Sequence, residues 1–171
     1  MSLAGDLDLV VGNWDGELIY AENTGTSTAP VFVQRTGSAN PFDGIDVGFY
    51  SAPAAADIDN DGDLDLCTAG KIFRNDNQLT GKWLKIRLVG DGKRVNKSGI
   101  GAIVRIKVGD EIITRHVESG TGEGNQNDLM LHFGFGELNA DTVDAEVTWP
   151  GNYRQAVDVL KLNATHDISM E

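Results

Sequence analysis

Cysteine is almost absent. Cys67 is the only one in 171 residues, so no internal disulfide can form, and any exported form must be held by its core or by metal instead of covalent staples. With only three histidines besides, a zinc site of thiolates and imidazoles is also excluded. Basic residues are scarce, 14 Lys and Arg against 26 Asp and Glu, for a net charge of −12. A polyanion needs clustered cations, so nucleic acid is excluded as a partner. No apolar run approaches the ~20 residues of a spanning helix, which argues against membrane insertion. The first residues, Met1-Ser2-Leu3-Ala4-Gly5-Asp6, lack the basic-then-apolar layout of a signal peptide. Long segments of 3.6-residue period are missing too, which excludes a βαβ nucleotide fold. What remains is 40% hydrophobic and 23% charged, with 21 glycines, four prolines and 7% aromatics, the composition of one or two compact domains.

The charge is unevenly divided. Residues 1–80 hold 13 acidic and 3 basic side chains, and residues 81–171 hold 13 and 11. This asymmetry predicts two domains, 1–80 and 81–171, with a boundary near Asn77 to Gly81. Within the first, Gly5-Asp6-Leu7-Asp8-Leu9 recurs as Gly62-Asp63-Leu64-Asp65-Leu66, 57 residues later. Each copy runs through small or β-branched residues into a second short strand ending in Asn, at Asn23 and Asn75. The turn of the second copy is five residues shorter. The pattern predicts a repeated hairpin with acids at its entrance. By the same offset Asp61 corresponds to Ala4, so the chain is expected to start inside a repeat, as a piece of a longer array. Two copies cannot close a ring that takes about 4 to 8 blades.

The chemistry concentrates in Asp57-Ile58-Asp59-Asn60-Asp61-Gly62-Asp63-Leu64-Asp65. Carboxylates stand at loop positions 1, 3, 5, 7 and 9, with glycine at 6. Alternate carboxylates bent inward by a glycine turn form an oxygen cage, and Ca²⁺ takes about 6 to 8 such oxygens. Asp57, Asp59, Asp61 and Asp65 are expected to ligate through side chains and Asp63 through its backbone carbonyl, with water completing the shell. Magnesium, which prefers a small octahedron with retained waters, suits the loop less well. An EF-hand begins the same way but needs a bidentate Glu at position 12, where Thr68 stands, and Leu64 to Thr68 alternates as a strand. A glycosidase-type acid pair needs two carboxylates at a set separation with divergent pKa values, which contiguous loop acids do not supply. Without a metal, five acids in one loop would concentrate like charge.

Together with Ile72-Phe73-Arg74-Asn75, and with Val11-Gly12-Asn13-Trp14-Asp15-Gly16 and Asn23-Thr24-Gly25 in the first copy, the loop resembles the FG-GAP or VCBS repeats of integrin α-subunit propellers and many secreted bacterial proteins. The resemblance implies that the loop lies in a β-hairpin of a propeller blade and binds Ca²⁺. The first copy lacks the first half of the loop before Asp6 and Asp8.

The second half resembles the ASPIC/UnbV domain, which commonly follows such repeats in extracellular proteins, the cartilage acidic proteins among them. The matching pieces are Trp83 to Leu88, Asn96 to Val104, His132-Phe133-Gly134-Phe135-Gly136 and Val147-Thr148-Trp149-Pro150-Gly151. The residues themselves predict strands with one buried and one wet face. Leu84, Ile86 and Leu88 alternate with Lys85 and Arg87; Val104, Ile106 and Val108 alternate with Arg105 and Lys107; Val143, Ala145, Val147 and Trp149 alternate with Asp144, Glu146 and Thr148. Glycine turns separate them, and Gly120-Thr121-Gly122-Glu123-Gly124 reads as a turn and not a phosphate cradle.

The expected fold is therefore all-β: partial β-propeller-type blade strands with a calcium hairpin loop, followed by a β-sandwich or partly open β-barrel. His116, His132 and His166 lie on different strands without an acid-base partner, and Cys67 reads as a small strand hydrophobe. The function expected is non-enzymatic: a calcium-binding adhesion or interaction module of a larger protein that is secreted or at the cell surface, the periplasm included. Its partner would be a protein or glycan surface, and unpaired blade edges would favour homo-oligomers. The alternative is an accessory carbohydrate-binding part of a secreted carbohydrate-active enzyme, with Trp14, Tyr20, Tyr50 and Tyr153 as the stacking surface.

Overall fold

The computed structural model describes residues 7–26, 29–76, 81–120 and 126–171. Gly5 and Asp6 of the first repeat copy, residues 77–80 of the expected boundary and residues 121–124 of the glycine turn lie outside the described residues. Among the described residues the fold is all-β, in four small sheets with no closed barrel, and it separates into two compact units, one within Ser2–Gln78 and Gly120–Asn127 and one within Leu79–Ser119 and Asp128–Glu171.

The first unit holds two three-stranded sheets. One orders β1 (Leu9–Gly12), β2 (Leu18–Asn23) and β3 (Phe32–Arg35); the other orders β4 (Ala54–Ala56), β5 (Asp65–Thr68) and β6 (Lys71–Phe73). All pairs are antiparallel. Aligned on the repeat, β1 corresponds to β5 and β2 to β6. The second sheet adds a strand before the shared hairpin and the first adds one after it, so together they display all four strand positions of a propeller blade. The β5–β6 hairpin closes through Ala69 and Gly70, both at positive φ, the two-residue turn whose twist matches that of the strands.

In the second unit, β7 (Lys82–Val89) is flanked by β10 (Leu131–Gly136) and β13 (Ala164–Ser169), while the other sheet orders β12 (Tyr153–Lys161), β11 (Thr142–Trp149), β8 (Ile103–Val108) and β9 (Glu111–His116). The period-two faces of both sheets supply its core: Leu84, Ile86, Leu88, Phe133 and Phe135 from the first, Val104, Ile106, Val147 and Trp149 from the second, all almost fully buried. Half-buried Arg115 on β9 reaches β10, donating Nε–H to His132 O at 3.1 Å, with its guanidinium 5.5 Å from the Phe133 ring.

Two features depart from simple alternation. Lys85, expected on the wet face of β7, is buried at 3% exposure. Its strand is central, with His132 opposite on one side and Thr165 on the other, and a long aliphatic stem is readily shielded by such cross-strand neighbours. The other departure is a bulge where β12 slips against β11 between Val143 and Ala145. It carries Val159 at φ +59, 67% exposed, its N–H donating to Asp144 Oδ1 at 2.9 Å. A β-branched residue is strained in the left-handed region, whereas Asn tolerates it. Val159→Asn is expected to stabilise the unit by about 1 kcal/mol, raising its melting temperature by about 5 °C in a calorimetric scan; an unchanged or lowered value would show the bulge to be unstrained.

Candidate metal centre

The loop joining β4 to β5 is shaped by its own acids. Asp57 Oδ2 accepts the Gly62 N–H at 3.1 Å, Asp59 Oδ1 that of Asp61 at 3.3 Å, and Asp61 Oδ1 that of Asp63 at 2.9 Å. Each carboxylate thereby turns the backbone back on itself, as Asx turns do. Two positions need left-handed backbone, Asn60 at φ +64 and Gly62 at φ +101. Asn tolerates it, and the wider angle at position 6 admits only glycine without strain.

Curled in this way, the loop brings together Asp57, Asp59 and Asp61, each offering a carboxylate oxygen within 4.8 Å of the others. Asp57 is buried at 8% exposure and forms the floor; Asp59 and Asp61 are exposed at the mouth. Asp63 and Asp65 are not part of that group. Asp65, 1% exposed, faces the backbone: Oδ2 accepts the Ile58 N–H at 2.8 Å and Oδ1 the Asn75 N–H at 2.8 Å. One carboxylate thus clamps the start of the loop and the end of the β5–β6 hairpin.

The first repeat copy reproduces half of this clamp. Asp8 Oδ1 accepts the Asn23 N–H at 2.8 Å, matching the bond from Asn75 to Asp65. Its other oxygen accepts the Tyr20 hydroxyl at 2.7 Å. Partial burial and this bond to a carboxylate push the Tyr20 phenol up to about 12. The neutral phenol is the form favoured by folding, so its contribution is present below the unfolded value of about 10 and is lost as pH rises through the folded value. A titration followed at 295 nm is expected to show a tyrosinate component near 12 that moves down in Asp8→Asn; an unmoved component would break the link between the two groups.

Arg74 also meets the loop. Its Nη1 lies 3.4 Å from Asp59 Oδ2, and it pairs with Asp76. These neighbouring carboxylates, Asp76 above all, raise the guanidinium above its ordinary value. Sequence spacing did not link Arg74 to the loop, because the link depends on the β5–β6 hairpin folding residue 74 back beside residue 59.

The donor set consists of hard oxygens, one at the floor and two at the mouth of a loop with the necessary left-handed turns. It fits a hard divalent cation and does not fit a soft metal. The other sequence candidates are dispersed. Trp14 and Tyr50 are exposed and adjacent, ring centroids 4.2 Å apart; Tyr20 bonds to Asp8, and Tyr153 belongs to the other unit, 5.8 Å from the Arg94 guanidinium. His132 stacks on Trp83, and the His166 ring contacts Lys161 O at 3.0 Å.

Residues 4–68 match a family model described as an FG-GAP-like repeat, and residues 92–171 match one described as ASPIC and UnbV. Comparison with the curated proteins finds no match.

Proposed function

We propose that this chain, an FG-GAP-like repeat followed by an ASPIC/UnbV domain, is a non-enzymatic, calcium-binding adhesion or interaction module of a secreted or cell-surface protein. The pairing of these two domains points to an extracellular-type interaction module, and no helix among the described residues is long and apolar enough to cross a membrane. The observation that carries the calcium reading is the convergence of the Asp57, Asp59 and Asp61 carboxylates within 4.8 Å.

These three side chains hold the ion, the Asp63 carbonyl and water complete its shell, and Asp65 clamps the loop around it. Bound there, the ion supplies the positive charge that lets three carboxylates share one turn without mutual repulsion. Its role is to fix the β4–β5 loop, and through it the hairpin whose end Asp65 also holds. Equilibrium dialysis against ⁴⁵Ca²⁺ tests this directly. One ion per chain is expected, with a dissociation constant on the order of 10⁻⁴–10⁻³ M, the range of extracellular sites. No saturable uptake up to ten millimolar would overturn the calcium reading.

A further inference from the structure

The most conspicuous surface of the first unit lies away from the calcium loop, at the turn between β1 and β2. Trp14 is 63% exposed, Phe49 71% and Tyr50 59%. Water-exposed aromatics of this size are costly unless covered in use. Here they are held in place by rigid backbone. The Tyr50 N–H donates to Trp14 O at 3.1 Å, that of Ser51 to Asn13 O at 3.1 Å, and that of Val47 to Gly16 O at 3.0 Å. The two segments approach so closely that a Cβ on Gly12 would lie 1.8 Å from Ser51 O and one on Gly16 2.1 Å from Gly48 O. Tyr50 itself sits at φ +57, a strained conformation for a bulky side chain. The fold therefore accepts strain at Tyr50 to hold its ring against Trp14 at the surface, as happens at binding sites.

The charge around the pair is predominantly negative. Asp15 adjoins Trp14, and Glu17 stands directly across a β-bridge from Asp46, a placement of like charges that is unfavourable unless a cation joins them. Of the three basic side chains of residues 1–80, Arg35 pairs with Glu22 and Arg74 with Asp59 and Asp76, while the Lys71 ammonium donates to the Asp46 backbone carbonyl at 3.2 Å and so lies beside one of these acids. Among the described residues, none of them forms an ion pair with the carboxylates of Asp15, Glu17 or Asp46. Glu17 Oε2 accepts the Asn13 amide at 2.9 Å and Asp46 Oδ1 the Gly48 N–H at 2.8 Å, bonds to neutral donors that leave the negative charge in excess, and two aromatic faces beside such an excess attract a cation by both the ring quadrupole and Coulomb energy. A neutral sugar would use the rings and leave the charge unanswered.

We propose that the Trp14–Tyr50 pair, with Asp15, Glu17 and Asp46 beside it, is a docking site for a Lys or Arg side chain on a basic segment of a partner protein. The site names the partner chemistry of the interaction role proposed above, and does not depend on the calcium loop. A fluorescein-labelled hexalysine peptide, followed by anisotropy in 150 mM NaCl, is the probe. Saturable binding is expected, with Trp14→Ala and Tyr50→Ala each weakening it at least tenfold and Asp15→Asn flattening its salt dependence. Tyr50→Gly keeps the left-handed backbone, so it is expected to raise the melting temperature while losing the peptide, which separates binding from folding. Equal binding by all variants would reduce the effect to diffuse attraction and overturn the site. So would absence of saturable binding, or Trp14-dependent capture of neutral cellohexaose or chitohexaose in place of the peptide. Peptide binding without calcium uptake would sink the calcium reading alone; calcium uptake without peptide binding would sink this one alone.

Discussion

Calcium at about ten millimolar, roughly 100 times a dissociation constant at the tighter end of the extracellular range, is expected to raise the melting temperature of the first unit by at least about 10 °C over its value in excess EDTA, with magnesium giving much less. An ion that binds only the folded state at about 100 times its dissociation constant adds about 2.7 kcal/mol, and a unit of this size gains roughly 4–8 °C per kcal/mol. The double variant Asp59→Ala, Asp61→Ala is expected to abolish the shift, because it removes both exposed carboxylates at the mouth of the loop and leaves only Asp57 of the convergent three. In EDTA the variant is expected to melt close to the parent, since relief of like-charge repulsion offsets the loss of the exposed backbone N–H bonds that Asp59 and Asp61 accept, and the exposed contact from Arg74 to Asp59 contributes little. A shift that survives the double substitution would place the ion elsewhere and dissolve the functional reading built on this loop.

Asp65→Asn is expected to be the most damaging single substitution in the first unit, at about 3–5 kcal/mol. Both carboxylate oxygens accept backbone N–H bonds at 2.8 Å in a site that is 1% exposed. An amide can present only one oxygen, so its NH₂ must face either the Ile58 or the Asn75 N–H, donor against donor. One charge-assisted bond is lost and one buried donor is left unsatisfied, costs of roughly 1.5–3 and 1–3 kcal/mol. The matched change in the other copy, Asp8→Asn, removes bonds that are exposed to water and is expected to cost about 1 kcal/mol. Urea denaturation in EDTA and in calcium separates clamp from ligand. A loss present in both media identifies a clamp, and a loss seen only with calcium would make Asp65 chiefly an ion ligand.

Much of this architecture could be read from periodicity. Leu84, Ile86 and Leu88, Val104 and Ile106, and Val143 to Trp149 all point inward as period two requires, because each strand has one wet face. Lys85 escaped that rule because period two describes a single strand, and burial of a central strand's second face depends on neighbours far along the chain. The acidic loop was legible because its carboxylates are local, and alternate acids around a glycine carry their own geometry. What the loop touches was not legible. The grip of Asp65 on Asn75, the approach of Arg74 to Asp59 and the contact of Trp14 with Tyr50 all depend on hairpins and bridges that bring distant residues together. The repeat alignment, which sets Asn23 against Asn75, is matched by equivalent bonds from those two residues to Asp8 and Asp65.

The pairing of β13 with β7 is parallel and in register from Ala164 on Leu84 to Ser169 on Val89. During synthesis, the middle strand of that sheet emerges about eighty residues before the neighbour that covers its edge. Until Ser169 has left the ribosome, Leu84 to Val89 has one side of its ladder unpaired, and closing so long a loop is intrinsically slow. The second unit therefore has a vulnerable interval in which its central strand is an open template for another nascent chain. The first unit, whose strand pairs all close within short stretches, can complete its sheets before that interval begins. Chaperone dependence should accordingly fall on the second unit, and a chain cut before Ala164 should accumulate as aggregate while the sheets of the first unit, through β6 and the Asn75 bond to Asp65, remain folded.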